Sequence, residues 1–240
     1  MPKVTLTIKP ELLRWARETA GMTLAVAARK LRFTEERLAE WEESGGHPTP
    51  RQLDRLAKIY KRPTAAFFLP TRPVEPKLPI DFRLPVPGTG ASGALSTELL
   101  FILRRARRLQ SAYTNVLQAA PFPEGLRLSL GDDTARSADR ARALLDVPID
   151  HQMALHTPEK AFAVWRRALE RTGVLVFRFP VAREELRGFS LPGTPPIIVV
   201  SSKDFYSSQI FSLFHEWSHI ALDEPGMCLP DIGGVASTIG

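Results

Sequence analysis

Between residues 70 and 87 the chain carries Pro70, Pro73, Pro76, Pro79, Pro85 and Pro87, and Gly88-Thr89-Gly90-Ala91-Ser92-Gly93 follows directly. Proline fixes φ and removes a backbone donor, so such a run fits neither a helix interior nor a central strand. The glycines after it add chain freedom. The stretch predicts an extended linker over residues 71–95, which divides the chain into a module at 1–70 and a larger one at 96–240. With 44% hydrophobic residues in 240, the chain can bury a real core.

The two modules differ in charge and in pattern. Residues 1–70 hold 13 Lys/Arg against 8 Asp/Glu, which is nearly all of the chain's net +6. A basic module either attracts phosphate backbones or is merely well solvated. Its apolar residues follow a helical period: Leu12, Leu13, Ala16 and Ala20 end at Gly21. Thr23 and Thr34 are N-caps of helices running to about Leu31 and Glu43. Ser44 to Pro48 is a loop, Pro50 opens a helix carrying Leu53, Leu56, Ala57 and Tyr60, and Ala65 to Leu69 makes a last apolar turn.

The larger module mixes helices with a few strands. A long helix over Thr97–Gln118 has Leu99, Leu100, Ile102, Leu103, Ala106 and Leu109 as its apolar face. Its Arg104, Arg105, Arg107 and Arg108 read as a solvated face, with nucleic-acid contact as the alternative. Further helices are expected over 132–145 and 157–171. Residues 173–179 read as a strand, and 187–191 and 196–201 as two more around Pro192-Gly193-Thr194. No run of 18 apolar residues is present, the N-terminus lacks a secretory apolar region, and one cysteine, Cys228, excludes an intramolecular disulfide framework. These features predict a cytoplasmic location and no membrane partner.

Phe211-Ser-Leu-Phe-His215-Glu216-Trp-Ser-His219 carries the chemistry. Positions i and i+4 share one helix face, so His215 and His219 can offer imidazole nitrogens to one metal ion. Glu216, about 100° round the helix, flanks that site as a general base without ligating. With 5 His and 16 Glu in 240 residues, chance yields only about 0.007 such patterns, although motif matches depend on their context. Phe211, Leu213, Phe214, Ile220 and Leu222 make the segment apolar enough for a buried helix. Zn2+ is the ion implied, and catalytic zinc takes three protein ligands plus water. His47 reads as an exposed loop residue. His151 and His156 flank a turn and read as capping or surface residues, with approach to the metal as the alternative, and Cys228 reads as an inert, partly buried residue, with a ligand or a redox-sensitive thiol as the alternatives. Tyr206 is the one oxyanion candidate in view.

Residues 9–70 resemble the XRE/Cro-type helix-turn-helix, through Gly21-Met22-Thr23-Leu24, Ala28, Leu31, Leu38, Trp41-Glu42, Pro48-Thr49, Leu53 and Leu56-Ala57-Lys58. The resemblance implies DNA contacts from Thr23, Thr34 and Arg37, and binding as a homodimer on half-sites. Arg32 stands where the family has its turn glycine. The expected recognition helix carries Glu35, Glu36, Glu40, Glu42 and Glu43, and Arg37 is its only base. Carboxylates repel phosphates, so protein recognition or dimerisation stands beside DNA binding as its role.

Residues 97–240 resemble the ImmA/IrrE zinc metallo-endopeptidases, through Arg187-Gly188-Phe189-Ser190-Leu191, Pro196-Ile197-Ile198-Val199-Val200 and the histidine motif. The fold class implied is mixed and mainly α: an all-α helix-turn-helix domain, then a zincin-like α+β metallopeptidase domain with a small sheet. The function implied is cleavage of a transcriptional repressor in a stress or mobile-element response. His215 and His219 would be the zinc ligands, Glu216 the catalytic residue, and one strand within 187–201 the sheet edge along which substrate lies. The alternative is a DNA-binding transcriptional regulator whose peptidase-like domain senses without turnover. The family's third ligand comes from a glutamate on a following helix. After His219 the only carboxylates are Asp223, Glu224 and Asp231, so the sequence reads as truncated before that helix.

Overall fold

The computed structural model describes residues 5–74, 95–117, 122–129, 133–182, 184–223 and 227–228. The expected linker at 71–95 falls almost wholly outside them, as do Glu224 and Asp231. The chain divides into two compact units. Among the described residues, the first holds 5–74 and 95–103, and the second holds 104–223 and 227–228.

The first unit is four α-helices and a 3-10 turn: α1 (Pro10–Thr19), α2 (Leu24–Leu31), α3 (Glu35–Ser44), α4 (Pro50–Ile59) and the turn Thr64–Phe68. Each boundary has a local cause. Thr23 and Thr34 accept from the backbone N–H of Val26 and Arg37, both at 3.3 Å. Thr49 and Gln52 make a reciprocal capping box with Pro50 at the first helical position. Arg32 closes α2 in the left-handed conformation, φ 57° and ψ 43°, so it reproduces the turn geometry that glycine supplies elsewhere. For a residue with a Cβ this conformation costs about 1–2 kcal/mol. The first seven residues of α5 (Thr97–Leu117) also belong to this unit: Thr97 Oγ1 donates to the Ala20 carbonyl at 2.8 Å and Lys61 pairs with Glu98 at 3.0 Å.

One ion pair lies inside this unit. Arg17 Nε and Nη2 donate to the two carboxylate oxygens of Glu42 at 2.7 and 2.8 Å, and Arg17 Nη1 donates to the Met22 carbonyl at 2.8 Å. Glu42 is 3% exposed, so one of the five glutamates expected on the outer face of α3 points into the unit instead. The pairing joins α1, the turn after it and α3 around the apolar centre of Leu13, Ala16, Leu31, Leu38 and Leu56.

The second unit contains the rest of α5, α6 (Thr134–Leu145), the short α7 (Ile149–Met153), α8 (Pro158–Arg171), α9 (Tyr206–Ala221) and a four-stranded sheet. The strands are β1 (Leu175–Phe179), β2 (Gly188–Leu191), β3 (Ile197–Ser201) and β4 (Met227–Cys228), in the order β1-β3-β2-β4. β1 and β3 are parallel, while β2 is antiparallel to both β3 and β4. The expected hairpin at 187–201 is therefore present. Its edge is not free along its whole length, however, because Gly188 and Phe189 pair with Cys228 and Met227. The reading of α5's arginines as a solvated face holds only in part. Arg105 and Arg108 are exposed, whereas Arg104 and Arg107 are half-buried, and burial pulls the Arg107 guanidinium below its ordinary value.

Val176, Ile198 and Val200 of the sheet pack with Trp165 and Leu169 of α8 and Leu213, Trp217 and Ile220 of α9. Trp165 and Phe214 meet edge to face at 4.9 Å, a geometry that adds to area burial. α9 thus lies on one face of the sheet, beside α8.

Removing one partner of a buried ion pair strands the other charge and typically costs about 3–5 kcal/mol. Glu42→Ala is expected to destabilise the first unit by about that amount. Hydrogen exchange on the full chain is the measurement: amides of α1 and α3 should lose most of their protection while those of β1 and β3 keep theirs.

Candidate metal centre

Helix α9 has an inward stripe of Gln209, Ser212, Leu213, Glu216, Trp217, Ile220 and Ala221, all buried. The spacing of three and four is that of a helix face turned to a core. His215 and His219 fall just off this stripe and are half-buried. The start of the helix is pinned by Gln209, which donates to the Asp204 carbonyl at 2.7 Å and accepts from Arg178 Nε at 2.9 Å.

The two imidazoles face one another through Nε2 at 3.3 Å, with ring planes at 75°. Two nitrogens each about 2.0–2.1 Å from one tetrahedral zinc lie about 3.3–3.4 Å apart. An N–H···N hydrogen bond between neutral rings would sit nearer the usual 2.9–3.0 Å of a nitrogen donor. The spacing therefore suits two ligands of one tetrahedral metal. Burial first, and then the neighbouring His219, hold His215 below the ordinary histidine value. A ring kept neutral is the form that ligates. His219 Nδ1 is buried without a hydrogen-bond partner among the described residues.

Glu216 is fully buried between α9 and the sheet. What admits it there is Gly188. A Cβ built on Gly188 would lie 3.3 Å from Glu216 Cγ, 3.6 Å from its Oε1 and 3.0 Å from the Val199 carbonyl. A side chain and a strand backbone thus approach closely at residue 188, and a Cβ there would push on Glu216 or on the Val199 carbonyl. Gly188 entered the family resemblance only as part of the 187–191 motif; a glycine heading an otherwise bulky strand also signals a close backbone approach.

His47, His151 and His156 are exposed, which agrees with a loop or surface place for each, and among the described residues no third His, Cys, Asp or Glu joins the pair. Asp223, two residues beyond α9, has φ 60° and is tied to Arg127 at 3.1 Å, so it does not turn back to the histidines. Tyr206 bonds to Glu159 at 3.2 Å. It stands ten residues before Glu216, about 15 Å along the helix, which removes it as an oxyanion group. Phe211, expected in the core, is 64% exposed and stacks on His215 at 6.2 Å. In the first unit, the side chains of Thr23 and Thr34 are engaged as helix caps, and Arg37 lies over the rings of Phe33 and Trp41 at 4.7 and 5.1 Å.

A capped four-helix unit and an α+β unit with a paired-histidine helix define a chain of regulator and peptidase-like parts. Comparison with known families agrees. Residues 11–67 match the family model described as a helix-turn-helix domain, and residues 169–235 match the peptidase M78 model described as an IrrE N-terminal-like domain. Each covers less than half of the chain, and together they bear out the resemblance to helix-turn-helix proteins of the ImmA/IrrE kind. No curated protein and no solved structure gives a significant match. Among the described residues no helix is long and apolar enough to cross a membrane.

His215 in the metal-free fold resists protonation, while an unfolded histidine titrates near 6.5. The stability tied to this depressed value is present above pH 6.5 and is lost as pH falls through the folded value. Metal-free protein should therefore lose thermal stability on acidification below about pH 6.5, and His215→Gln should flatten that loss. Melting curves between pH 8 and pH 5 read both.

Proposed function

We propose that the second unit is a zinc-dependent endopeptidase. The observation that carries this reading is the 3.3 Å spacing of the His215 and His219 Nε2 atoms, which suits two ligands of one tetrahedral ion. His215 and His219 would hold the metal, and a further ligand is required from outside the described residues. Zinc, when bound, would supply the Lewis acidity that makes water a nucleophile near neutral pH and polarises a peptide carbonyl.

The chain's own contribution is then a proton shuttle. Glu216, held over Gly188 beside the histidine pair, takes a proton from the attacking water on its carboxylate and returns it to the departing amide nitrogen. Its burial keeps bulk solvent from competing for that proton. The family resemblance supports a transcriptional repressor as the substrate class, and the helix-turn-helix unit supports a cytoplasmic regulatory role. An extended peptide could add to the sheet by β-augmentation.

The test compares wild type with His215→Ala and Glu216→Gln. Zinc measured by plasma emission should be near one per chain in wild type, lost in His215→Ala and retained in Glu216→Gln. Cleavage of a fluorogenic peptide library should fall about 10²–10⁴-fold in Glu216→Gln, the usual worth of a positioned base. Zinc that stays in His215→Ala overturns the ligand assignment. Full cleavage by Glu216→Gln overturns its role as base. Zinc binding with no turnover in wild type favours the regulator whose second domain only senses.

A further inference from the structure

Charge in the first unit is sorted by helix. α3 carries five carboxylates against one cation, while α2, the turn after it and α4 (residues 24–34 and 50–59) carry six cations against one carboxylate. That carboxylate, Asp54, is paired with Lys58 at 2.8 Å. The remaining cations are Arg29, Lys30 and Arg32 at the end of α2, and Arg51 and Arg55 on α4. All but the partly buried Arg55 are exposed. Arg55 Nη2 donates to the Lys30 carbonyl at 2.9 Å, and Arg51 stands one turn from Arg55 on the same face of α4. Arg55 thus ties α4 to the end of α2 that carries Arg29, Lys30 and Arg32, and the five lie on the two helices that meet there.

Helix electrostatics accounts for Arg29 and Lys30, which favour the negative end of α2. It does not account for Arg32 and Arg51. Arg32 occupies a left-handed position, φ 57°, that glycine would adopt without strain. Arg51 lies in the first turn of α4, at the positive end of its dipole, and no acidic residue shares that turn. Two cations are thus held where the fold itself would be better without them.

We propose that this α2–α4 seam, rather than α3, is where the unit receives a nucleic-acid phosphate backbone, and that it does so without reading base sequence. Arg and Lys contacts to phosphate oxygens set position and carry no sequence information. On α3 the exposed Glu35, Glu36, Glu40 and Glu43 would repel phosphates, and its single cation, Arg37, is occupied by the Phe33 and Trp41 rings. The inference rests on the first unit alone and is independent of the peptidase reading.

Fluorescence anisotropy of the full chain tests it, with 20-base-pair DNA duplexes of two unrelated sequences and a 20-nucleotide single-stranded RNA, between 50 and 200 mM salt. Because Arg32→Gly and Arg51→Gln each remove an unfavourable feature, the double variant should melt no lower than wild type. It should nevertheless bind at least about 10-fold more weakly at 50 mM salt, and flatten the logarithmic salt slope on duplex by about 2, near 0.9 per lost phosphate contact. The two duplexes should bind within about threefold of each other, and Arg37→Gln should change little. Whichever of DNA and RNA binds more tightly identifies the source of the phosphates. An unchanged double variant, a larger loss from Arg37→Gln, strong preference between the duplexes, or no binding at 50 mM salt would each overturn the proposal.

Discussion

Helix α9 is held against the sheet by its inward stripe, from Gln209 to Ala221, and that burial fixes the rotation of the helix about its own axis. Leu213, Trp217 and Ile220 share their contacts with Trp165 and Leu169 of α8 and with Val176, Ile198 and Val200 of the sheet. Turning α9 by one residue toward the histidines, about 100°, would carry Leu213 and Trp217 out of the contact and bring both histidines into it. With the rotation set, His215 and His219 stand at the rim of the contact and Glu216 points at the strand. The arrangement of the candidate centre is therefore a by-product of apolar packing, and its precision comes from interiors that pack as densely as crystals.

The strand contributes through what it lacks. Gly188 pairs on one side with Val200 and on the other with Cys228, so its backbone is committed to the ladder and cannot retreat from a side chain. A carboxylate seated at that point is held by a rigid surface, which suits a group that must meet one proton position repeatedly. Phe211 completes the outer side of the site by stacking on His215, which limits the rotamers open to that ring.

In the first unit the governing contact is electrostatic. Glu42 satisfies Arg17 through two hydrogen bonds, and Arg17 also satisfies the Met22 carbonyl in the turn between α1 and α2. Such a network fixes where α3 lies against α1 more tightly than apolar contact alone, because a misplaced buried charge is costly. The same economy of charge leaves α3 acidic outside and α2 and α4 basic, so that the helix a reader would assign to the groove is the one least suited to it.

Much of this was legible in the sequence, since caps, breakers and periodicity act locally. Thr23, Thr34, Pro50 and Thr157 marked helix starts that the structure places within a residue, and the pairing of His215 with His219 follows from the 3.6-residue turn alone. The sequence could not say that Glu42 points inward, that Asp223 is taken by Arg127, that Phe211 is exposed, or that β4 covers the start of β2. Each of these depends on a partner 25 or more residues away along the chain, or on which face of a helix a distant element happens to cover. Local pattern determined which helices and strands form and which side chains share a face. Tertiary packing alone decided which of those faces meet, and so placed Glu216 over Gly188, because contact between distant segments is set by three-dimensional close packing that no short window of sequence encodes.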